Sequence, residues 1–416
     1  MKQFVTEEKH ISPTTNDFET FCSYIDQQRP KLSQRMEALG KKDVFGLNAK
    51  LFFRKDVSAP VYLQSSYPTI DLMFNLAVLS GLYRKAADDK ADIYLESTSL
   101  KLQFDKLNSY EKYCFLLEIF WTKFDLKEII RWGTDASEQF AKTISKSIPG
   151  QELVKGSFSQ RSDYEPLFSY LSVFVHYFCF FGFCSIEQLA IGNNKQGKYE
   201  DSISSVIPTE FGVNICKILH TLKLKLWNIP YLSIMGIDTD DKYYSFTKVP
   251  FTEHLKPIFP QNELLKRVQP EAIKAKKGNY TFKVILEKSV WRKIKLSHNH
   301  TLEDLHHCIQ EAFDFDNDHL YSFYMDGKRY SDDVYNSSFG DIPPYAYEAV
   351  IGKLGLYRGK KILYLFDFGD SWEFLVQLVA IDENEKEIKK PLITEVKGKA
   401  PSQYGNDEEY EDFDDE

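Results

Sequence analysis

The chain has 416 residues, of which 43% are hydrophobic, 15% aromatic and 27% charged, and its formal net charge is −9. This composition excludes a disordered or fibrous protein and leaves room for two to four domains of roughly 100–200 residues each. Because residues 401–416 carry eight acids and neither Lys nor Arg, the rest of the chain is almost neutral and lacks the basic excess that is typical of avid nucleic-acid binding.

Six cysteines are scattered along the chain, at Cys22, Cys114, Cys179, Cys184, Cys216 and Cys308. None of them forms a CxxC pair or shows the Cys/His spacing of a zinc site, so we expect reduced, buried thiols, no bound metal and no cofactor. The first residues lack the apolar core of a secretory leader. Together these features favour a cytoplasmic bacterial protein.

The N-terminal region begins with helices. Residues 1–30 form a polar lead-in that contains one predicted helix, near residues 18–26. Apolar residues at helical spacing then predict a helix at 43–51, and a longer one follows at 67–80, with a proline at its start.

One order of elements occurs twice in this region: helix, Gly, strand, polar loop, strand, helix. The first copy covers residues 67–132 and the second covers 164–222. We therefore predict a helical, winged-helix-like unit at 31–150 and a second one at 151–222, with the polar loop as the wing. The long helices carry too few polar side chains to read bases in a groove, so we interpret both units as scaffolds or protein-interaction modules.

The most apolar segment of the chain is residues 167–184. Its length is at the lower limit for a membrane span, but Ser169, Ser172 and His176 interrupt it and no Lys or Arg stands immediately beside it. We therefore predict a helix that is buried on all sides and no association with a membrane.

The C-terminal part begins after a proline-containing connecting segment, residues 223–275. Residues 276–400 show a clear order of elements, with predicted strands at 280–286, 290–296, 319–325, 361–368 and 372–379, and a helix from Thr301 to Phe313. This order predicts a β-grasp-like mixed sheet covered by one helix, and the chain as a whole is assigned to the α+β class. The acidic tail, residues 401–416, is too polar to order itself.

Five strings in this part of the chain are distinctive: V-W-R-K-I at 290–294, T-L-E-D-L-H-H-C-I-Q-E-A-F-D-F at 301–315, H-L-Y-S-F at 319–323, F-D-F-G-D-S-W-E-F at 366–374 and G-K-A-P-S-Q-Y-G at 398–405. In this order and spacing they resemble the plasmid pRiA ORF-three-like family, also described as TnpR-like passenger proteins of insertion elements. The resemblance implies a small α+β domain and a connection with mobile elements, but no settled reaction. Family members often have two further histidines where this chain has Tyr321 and Phe374.

Four residues are candidates for catalysis. A constellation of His306, His319 and Asp370 could hold a metal or act as a base, and Asp367 with Asp370 could bind a divalent cation. In the alternative that we favour, the histidines pack or orient local structure and the carboxylates serve a tight turn, so that no metal is assigned. The D-F-G string is not a kinase motif, because neither a catalytic loop nor a Gly-rich phosphate loop accompanies it.

Aromatic and basic residues suggest a binding surface, with Lys293 and Lys295 beside the main candidates Trp291, Arg292, Lys328, Arg329, Tyr330 and Trp372. On one edge of the sheet they could bind single-stranded nucleic acid. The alternative is a solvated face that protects the sheet from aggregation.

The absence of a complete catalytic set favours a non-enzymatic binding or adaptor protein, associated with mobile elements or defence, whose partner is an unknown protein. The first alternative is a nucleic-acid-associated factor of a mobile element. The second is a metal-dependent hydrolase that uses the region of His306, His319 and Asp370.

Overall fold

The computed structural model describes residues 4–88, 90–125, 135–155, 164–168, 172–188, 203–234, 249–269, 275–331 and 333–404. The chain divides into two compact units, one drawn from Met1–Lys85 and Asp92–Pro270, the other from Ala86–Ala91 and Glu271–Glu416. The first is mainly helical and the second is built around a large sheet, so the predicted α+β class is confirmed. The finer domain boundaries stay predictions.

The part of the chain before residue 270 contains ten helices within its described residues: α1 Glu8–Gln28, α2 Lys41–Asn48, α3 Pro68–Leu79, α4 Ser99–Phe104, α5 Ser109–Lys123, α6 Asp135–Lys146, α7 Ser172–Phe180, α8 Glu210–Leu222, α9 Ile229–Ile234 and α10 Phe251–Leu255. Its strands are β1 Tyr83–Ala87, β2 Ile93–Ser97, β3 Leu153–Val154, β4 Cys184–Gln188 and β5 Ile203–Pro208. β1 pairs with β2, and the other three form a sheet in the order β3-β5-β4.

The predicted short helix near residues 18–26 is part of the much longer α1. Ile11, Phe18 and Ile25 recur at helical spacing along it and are fully or almost fully buried. Pro13 lies inside the helix. Because an interior proline removes a backbone hydrogen bond, it argues against a helix when the sequence is taken alone. What was described as a polar lead-in therefore contributes to the core.

The twice-repeated order of elements is present in the structure. In the first copy α3 is followed by Gly81, β1, β2 and, after the short α4, by the closing helix α5; in the second α7 is followed by Gly182, β4, β5 and α8. Both glycines have positive φ, 75° and 76°, where a Cβ is unfavourable. The predicted second wing lies outside the described residues, and the winged-helix assignment stays a prediction.

The apolar segment at residues 167–184 is packed inside the first unit. Phe174 and Phe178 of α7 are fully buried, and its other described side chains are buried except that of His176, which is partly exposed. Among the described residues, no helix has both the length and the apolar character that crossing a membrane requires.

The C-terminal unit contains seven strands and one long helix among its described residues: β6 Asn279–Glu287, β7 Val290–Ser297, α11 Leu302–Phe313, β8 Tyr321–Tyr324, β9 Val334–Asn336, β10 Lys361–Phe366, β11 Trp372–Asp382 and β12 Leu392–Lys397. The strand order is β12-β7-β6-β11-β10-β8-β9, and every pairing between them is antiparallel. The expected mixed sheet is therefore corrected to an antiparallel one. Hairpins join β6 to β7 and β10 to β11, and the strand that follows α11, β8, does not lie beside β7, so no parallel pair forms. The β-grasp assignment is not confirmed.

Helix α11 covers one face of this sheet. Leu302, Leu305, Ile309 and Phe313 are buried in the core beneath it, as their spacing predicts. The helix begins at Thr301, whose hydroxyl accepts from the Asp304 amide while the Asp304 carboxylate accepts from the Thr301 amide. This capping box satisfies amides at the helix start and confirms the predicted N-terminus.

Candidate functional site

His306 of α11 is fully buried against the sheet, and both of its ring nitrogens have partners. Nε2 lies 2.7 Å from the side-chain oxygen of Asn317, and Nδ1 lies 2.7 Å from the hydroxyl of Tyr364. The Tyr364 oxygen also accepts from the Gln310 amide nitrogen at 2.8 Å. The imidazole is therefore the middle of a hydrogen-bonded chain that joins α11 to β10.

The directions of these hydrogen bonds define the protonation state of His306. An amide oxygen can only accept, so Nε2 carries the proton and Nδ1 accepts from the tyrosine hydroxyl. Burial lowers the pKa of His306 to about 3, because the charged imidazolium loses its hydration. A neutral imidazole with both nitrogens engaged offers no free lone pair to a metal and no free site to a proton.

His319 has different neighbours from His306. Its Nε2 lies 3.5 Å from the Asp367 carboxylate and 3.6 Å from the Asp318 carboxylate. Asp318 also accepts from the Gln403 amide at 3.1 Å and from the Tyr404 hydroxyl. These hydrogen bonds, above all that from Tyr404, lower the pKa of Asp318.

Asp367 and Asp370 belong to the turn between β10 and β11. The Asp367 carboxylate accepts from the backbone amides of Gly369 at 2.8 Å and Asp370 at 3.4 Å, while the Asp370 side chain is exposed. This arrangement is the turn chemistry that Asp and Gly favour. Of the four predicted catalytic residues, the structure brings His319 and Asp367 together.

The predicted constellation of His306, His319 and Asp370 is not formed. No hydrogen bond or ion pair joins any two of these three described residues, because His306 points into the core while His319 faces the loop that follows α11. Across the described parts of the chain, no group of three or more His, Cys, Asp or Glu residues could hold a metal ion.

The two positions where family members often have histidine are occupied here by packing residues. Tyr321 lies flat against His306, with ring centroids 3.7 Å apart. Phe374 is fully buried and packs against Phe313 of α11. In this chain both positions therefore stabilise the contact between the helix and the sheet.

Arg292 was predicted to lie on a binding surface, and the structure corrects this. Only 4% of the residue is exposed. Its guanidinium lies over the Phe313 ring and donates to the carbonyls of Ala312 at 2.7 Å and Lys397 at 2.9 Å. Arg292 thus ties the end of α11 to the end of β12, a role that cannot be recognised from its place in the sequence.

Trp372 and the segment 328–330 also lie away from the surface that the sequence suggested. Trp372 packs edge-on against Phe315, with centroids 4.9 Å apart. Arg329 pairs with Glu373 at 2.9 Å and lies beside the exposed Tyr330. The strand that precedes this segment, β8, is four strand positions from β7, the strand that carries Trp291, which is about 19 Å across the sheet.

Trp291 itself is the centre of a basic cluster on the face opposite α11. The ammonium nitrogens of Lys283, Lys293 and Lys397 lie 4.2, 5.8 and 5.9 Å from the centroid of its ring. Direct cross-strand partners point to the same face of a sheet. Lys397 is the partner of Trp291 and Lys293 is the partner of Lys283, so all four side chains lie on this face. We call this group, Lys283, Trp291, Lys293 and Lys397, the lysine face.

The charges of the lysine face are only partly neutralised. Lys293 pairs with Glu395 at 2.6 Å, whereas no carboxylate among the described residues pairs with Lys283 or Lys397. Lys283 is placed directly opposite Lys293, and like charges at such positions disfavour the sheet. The indole compensates by attracting the ammonium groups to its negative π-surface.

Two members of the lysine face, Lys283 and Lys397, were missed by sequence reasoning. The alternation of β6 contains the signal for Lys283, since Tyr280, Phe282 and Val284 face the core and Lys283 lies between them. Lys397 had no such signal, because β12 is almost fully exposed and lacks an apolar alternation.

These features define a class of protein: an α+β chain whose C-terminal antiparallel sheet has one face closed by a helix and a second face bearing a lysine-ringed tryptophan. Residues 279–415 match the model of the family described as plasmid pRiA4b ORF-3-like protein. The resemblance that the C-terminal strings indicate is therefore confirmed for this part of the chain.

One solved structure that is similar to this chain is the crystal structure of MM3350, a protein of unknown function from Methanosarcina mazei Go1. The two are 27% identical, the match covers 30% of this chain and 72% of that chain, and the TM-score is 0.26. No curated protein matches the chain.

Proposed function

We propose that this protein is a non-enzymatic binding protein, an adaptor associated with mobile elements or defence, whose lysine face binds an acidic segment of a partner protein. The observation that carries the proposal is the pair of ammonium groups of Lys283 and Lys397, held over Trp291 without a carboxylate partner among the described residues. Their position gives a carboxylate-bearing segment two charges to neutralise.

Apolar side chains next to the lysines extend the surface. Ile285 pairs directly with Trp291 on one side and with Leu375 on the other, and Leu375 is partly exposed, at 36%. A segment that mixes acids with apolar or aromatic residues could place its acids on the lysines and its apolar groups on this strip. Rim charges of this kind contribute mainly to specificity and association rate, and the apolar contact contributes to affinity.

The chemistry of the candidate catalytic residues favours binding over catalysis. His306 is neutral and engaged at both nitrogens, and Asp367 is occupied by the amides of its own turn. No observation on the described residues favours the metal-dependent hydrolase.

A nucleic-acid-associated function is the second candidate, because an aromatic ring among lysines on a sheet face is a common feature of single-strand binding surfaces. Trp291, however, is only 9% exposed. A base could stack on it only after Lys283 moved away, and Lys293 is already paired with Glu395. A phosphate backbone generally needs more free cations than the two that remain.

The test is a binding titration with two fluorescent probes, a peptide of twelve glutamates and a single-stranded oligonucleotide of twelve nucleotides. Because residues 405–416 are themselves acidic and could compete, the full-length protein is used with those eight acids replaced by their amides. We expect the glutamate peptide to bind, and Lys283→Glu with Lys397→Glu to weaken binding at least tenfold.

The matched control is Lys353→Glu, which reverses an exposed lysine outside the lysine face and should leave binding within about twofold of the parent. Absence of peptide binding at low salt contradicts the proposal. Tighter binding of the oligonucleotide than of the peptide, with a steep salt dependence and the same lysine requirement, replaces it by the nucleic-acid function.

A further inference from the structure

Resting on the proposed function, we infer that the acidic C-terminal segment of this chain, residues 405–416, occupies the lysine face and competes there with the acidic partner. The segment contains eight acids and two aromatic residues, Tyr410 and Phe413, and no Lys or Arg. It therefore has the same chemistry as the partner that the lysine face is proposed to bind.

The segment starts from a fixed point on the C-terminal unit. Gln403 is buried and donates to the Asp318 carboxylate, and its side-chain oxygen accepts from the Asp316 amide. The Tyr404 hydroxyl donates to Asp318, and this hydrogen bond raises the pKa of Tyr404 to about 12. Two residues of the predicted disordered tail, Gln403 and Tyr404, are thus held against the loop that follows α11, while residues 405–416 lie outside the described ones.

That fixed point is within reach of the lysine face. Arg292 joins the end of α11 at Ala312 to the end of β12 at Lys397, so β12, α11 and the start of the tail lie at the same end of the sheet. Tyr404 is the seventh residue after Lys397, which is at most about 25 Å of chain, and the twelve residues after Tyr404 can span about 40 Å. The tail is therefore long enough to return to Trp291.

The charges around the start of the tail favour its return to the lysine face. Asp316, Asp318 and Asp367 surround the anchored residues and repel an acidic segment, whereas Lys283 and Lys397 attract it. A tethered segment of this length acts at an effective concentration on the order of 1 mM. Several weak surface contacts can therefore compete with a free partner at micromolar concentration.

The experiment compares the wild-type chain with the full-length variant in which the eight acids are replaced by amides. The first readout needs no ligand: the rates at which an amine-acylating reagent modifies individual lysines, measured by mass spectrometry. We expect Lys283 and Lys397 to react at least threefold faster in the amide variant, while the control Lys353 reacts equally in both. Equal rates at Lys283 and Lys397 in the two chains overturn the inference.

The second readout is the affinity for the twelve-glutamate peptide. We expect the amide variant to bind it about tenfold more tightly than wild type at low salt, and the difference to disappear once Lys283→Glu and Lys397→Glu are introduced into both chains. If the amide variant binds the peptide but no more tightly than wild type, the tail inference fails and the proposed function stands. If the amide variant does not bind the peptide at all, the proposed function itself fails.

Discussion

The imidazole of His306 lies flat on the ring of Tyr321, with centroids 3.7 Å apart and planes inclined by only 14°. The stacking places the histidine in the core between α11 and the sheet, where Asn317 and Tyr364 engage its two nitrogens. His306 is therefore a structural residue whose neutral form is part of the fold.

The first prediction concerns the pH dependence of stability. The pKa of folded His306 is about 3, below the value near 6.5 of an unfolded chain. The contribution of neutral His306 to the free energy of unfolding is complete above pH 6.5. It is lost as the pH falls, because the unfolded chain takes up a proton that the folded chain does not. We expect a loss of about 2 kcal/mol between pH 6.5 and pH 5 from this residue.

The measurement is the opening free energy of α11 amides, obtained by hydrogen exchange at the two pH values for wild type and His306→Gln. Between pH 6.5 and pH 5 the opening free energy of the variant should fall by about 2 kcal/mol less than that of wild type. His176, whose burial lowers its pKa to about 4, remains in both proteins and cancels in the comparison. Equal losses in the two proteins would contradict a neutral, buried His306.

The second prediction concerns Arg292. Arg292→Met keeps much of the apolar stem over Phe313 but leaves the carbonyls of Ala312 and Lys397 without their donor. We expect α11 and β12 to open more easily by about 2–3 kcal/mol, the usual contribution of hydrogen bonds to a charged group. Hydrogen exchange of α11 and β12 measures this, with Lys353→Met as the surface control, and a change below about 0.5 kcal/mol would show that Arg292 does not tie these elements together.

The third prediction uses two helical glycines with opposite surroundings. A Cβ on Gly212 in α8 would lie 1.8 Å from the Phe183 carbonyl oxygen, whereas one on Gly46 in α2 meets nothing closer than the Tyr24 hydroxyl at 3.9 Å. Gly212→Ala should destabilise the first unit by about 3 kcal/mol, because backbone has to move. Gly46→Ala should stabilise it by about 0.5–1 kcal/mol through helix propensity. Thermal unfolding followed by circular dichroism checks both, and the same sign of shift in the two variants would refute the argument.

The fourth prediction concerns metals. His319 lies between two carboxylates whose oxygens already accept hydrogen bonds from Tyr404, Gln403 and the turn that contains Asp367. We expect neither Mg²⁺, Mn²⁺ nor Zn²⁺ to change the melting temperature of the wild-type protein more than that of His319→Ala. A stabilisation that needs His319 and is removed by a chelator would instead establish a metal site there.

Local features of the fold could be predicted from the sequence because they depend on neighbouring residues. The capping box of Thr301 and Asp304 and the hairpin of β6 and β7 are of this kind. β12 was missed because an exposed edge strand has no buried alternation. The full length of α1 was missed because Pro13 argues against a helix, and only packing in the core compensates for it.

The candidate site was harder to predict because its contacts are distant in sequence. The hydroxyl partner of His306 is Tyr364, 58 residues further along the chain, and no spacing rule links them. Arg292 and Trp291 are adjacent and both looked suited to binding, yet strand alternation places them on opposite faces. Only the strand order showed that β8, the strand before residues 328–330, is separated by three intervening strands from the strand that carries Trp291.

The most direct test of the lysine face is the ratio of two dissociation constants for the twelve-glutamate peptide, measured at low salt on chains whose C-terminal acids are replaced by amides. One chain keeps Lys283 and Lys397, and the other carries glutamate at both positions. We predict a ratio of at least ten, which corresponds to about 1.4 kcal/mol or more. A ratio near one, with both chains folded, would contradict the assignment of this face as the binding surface.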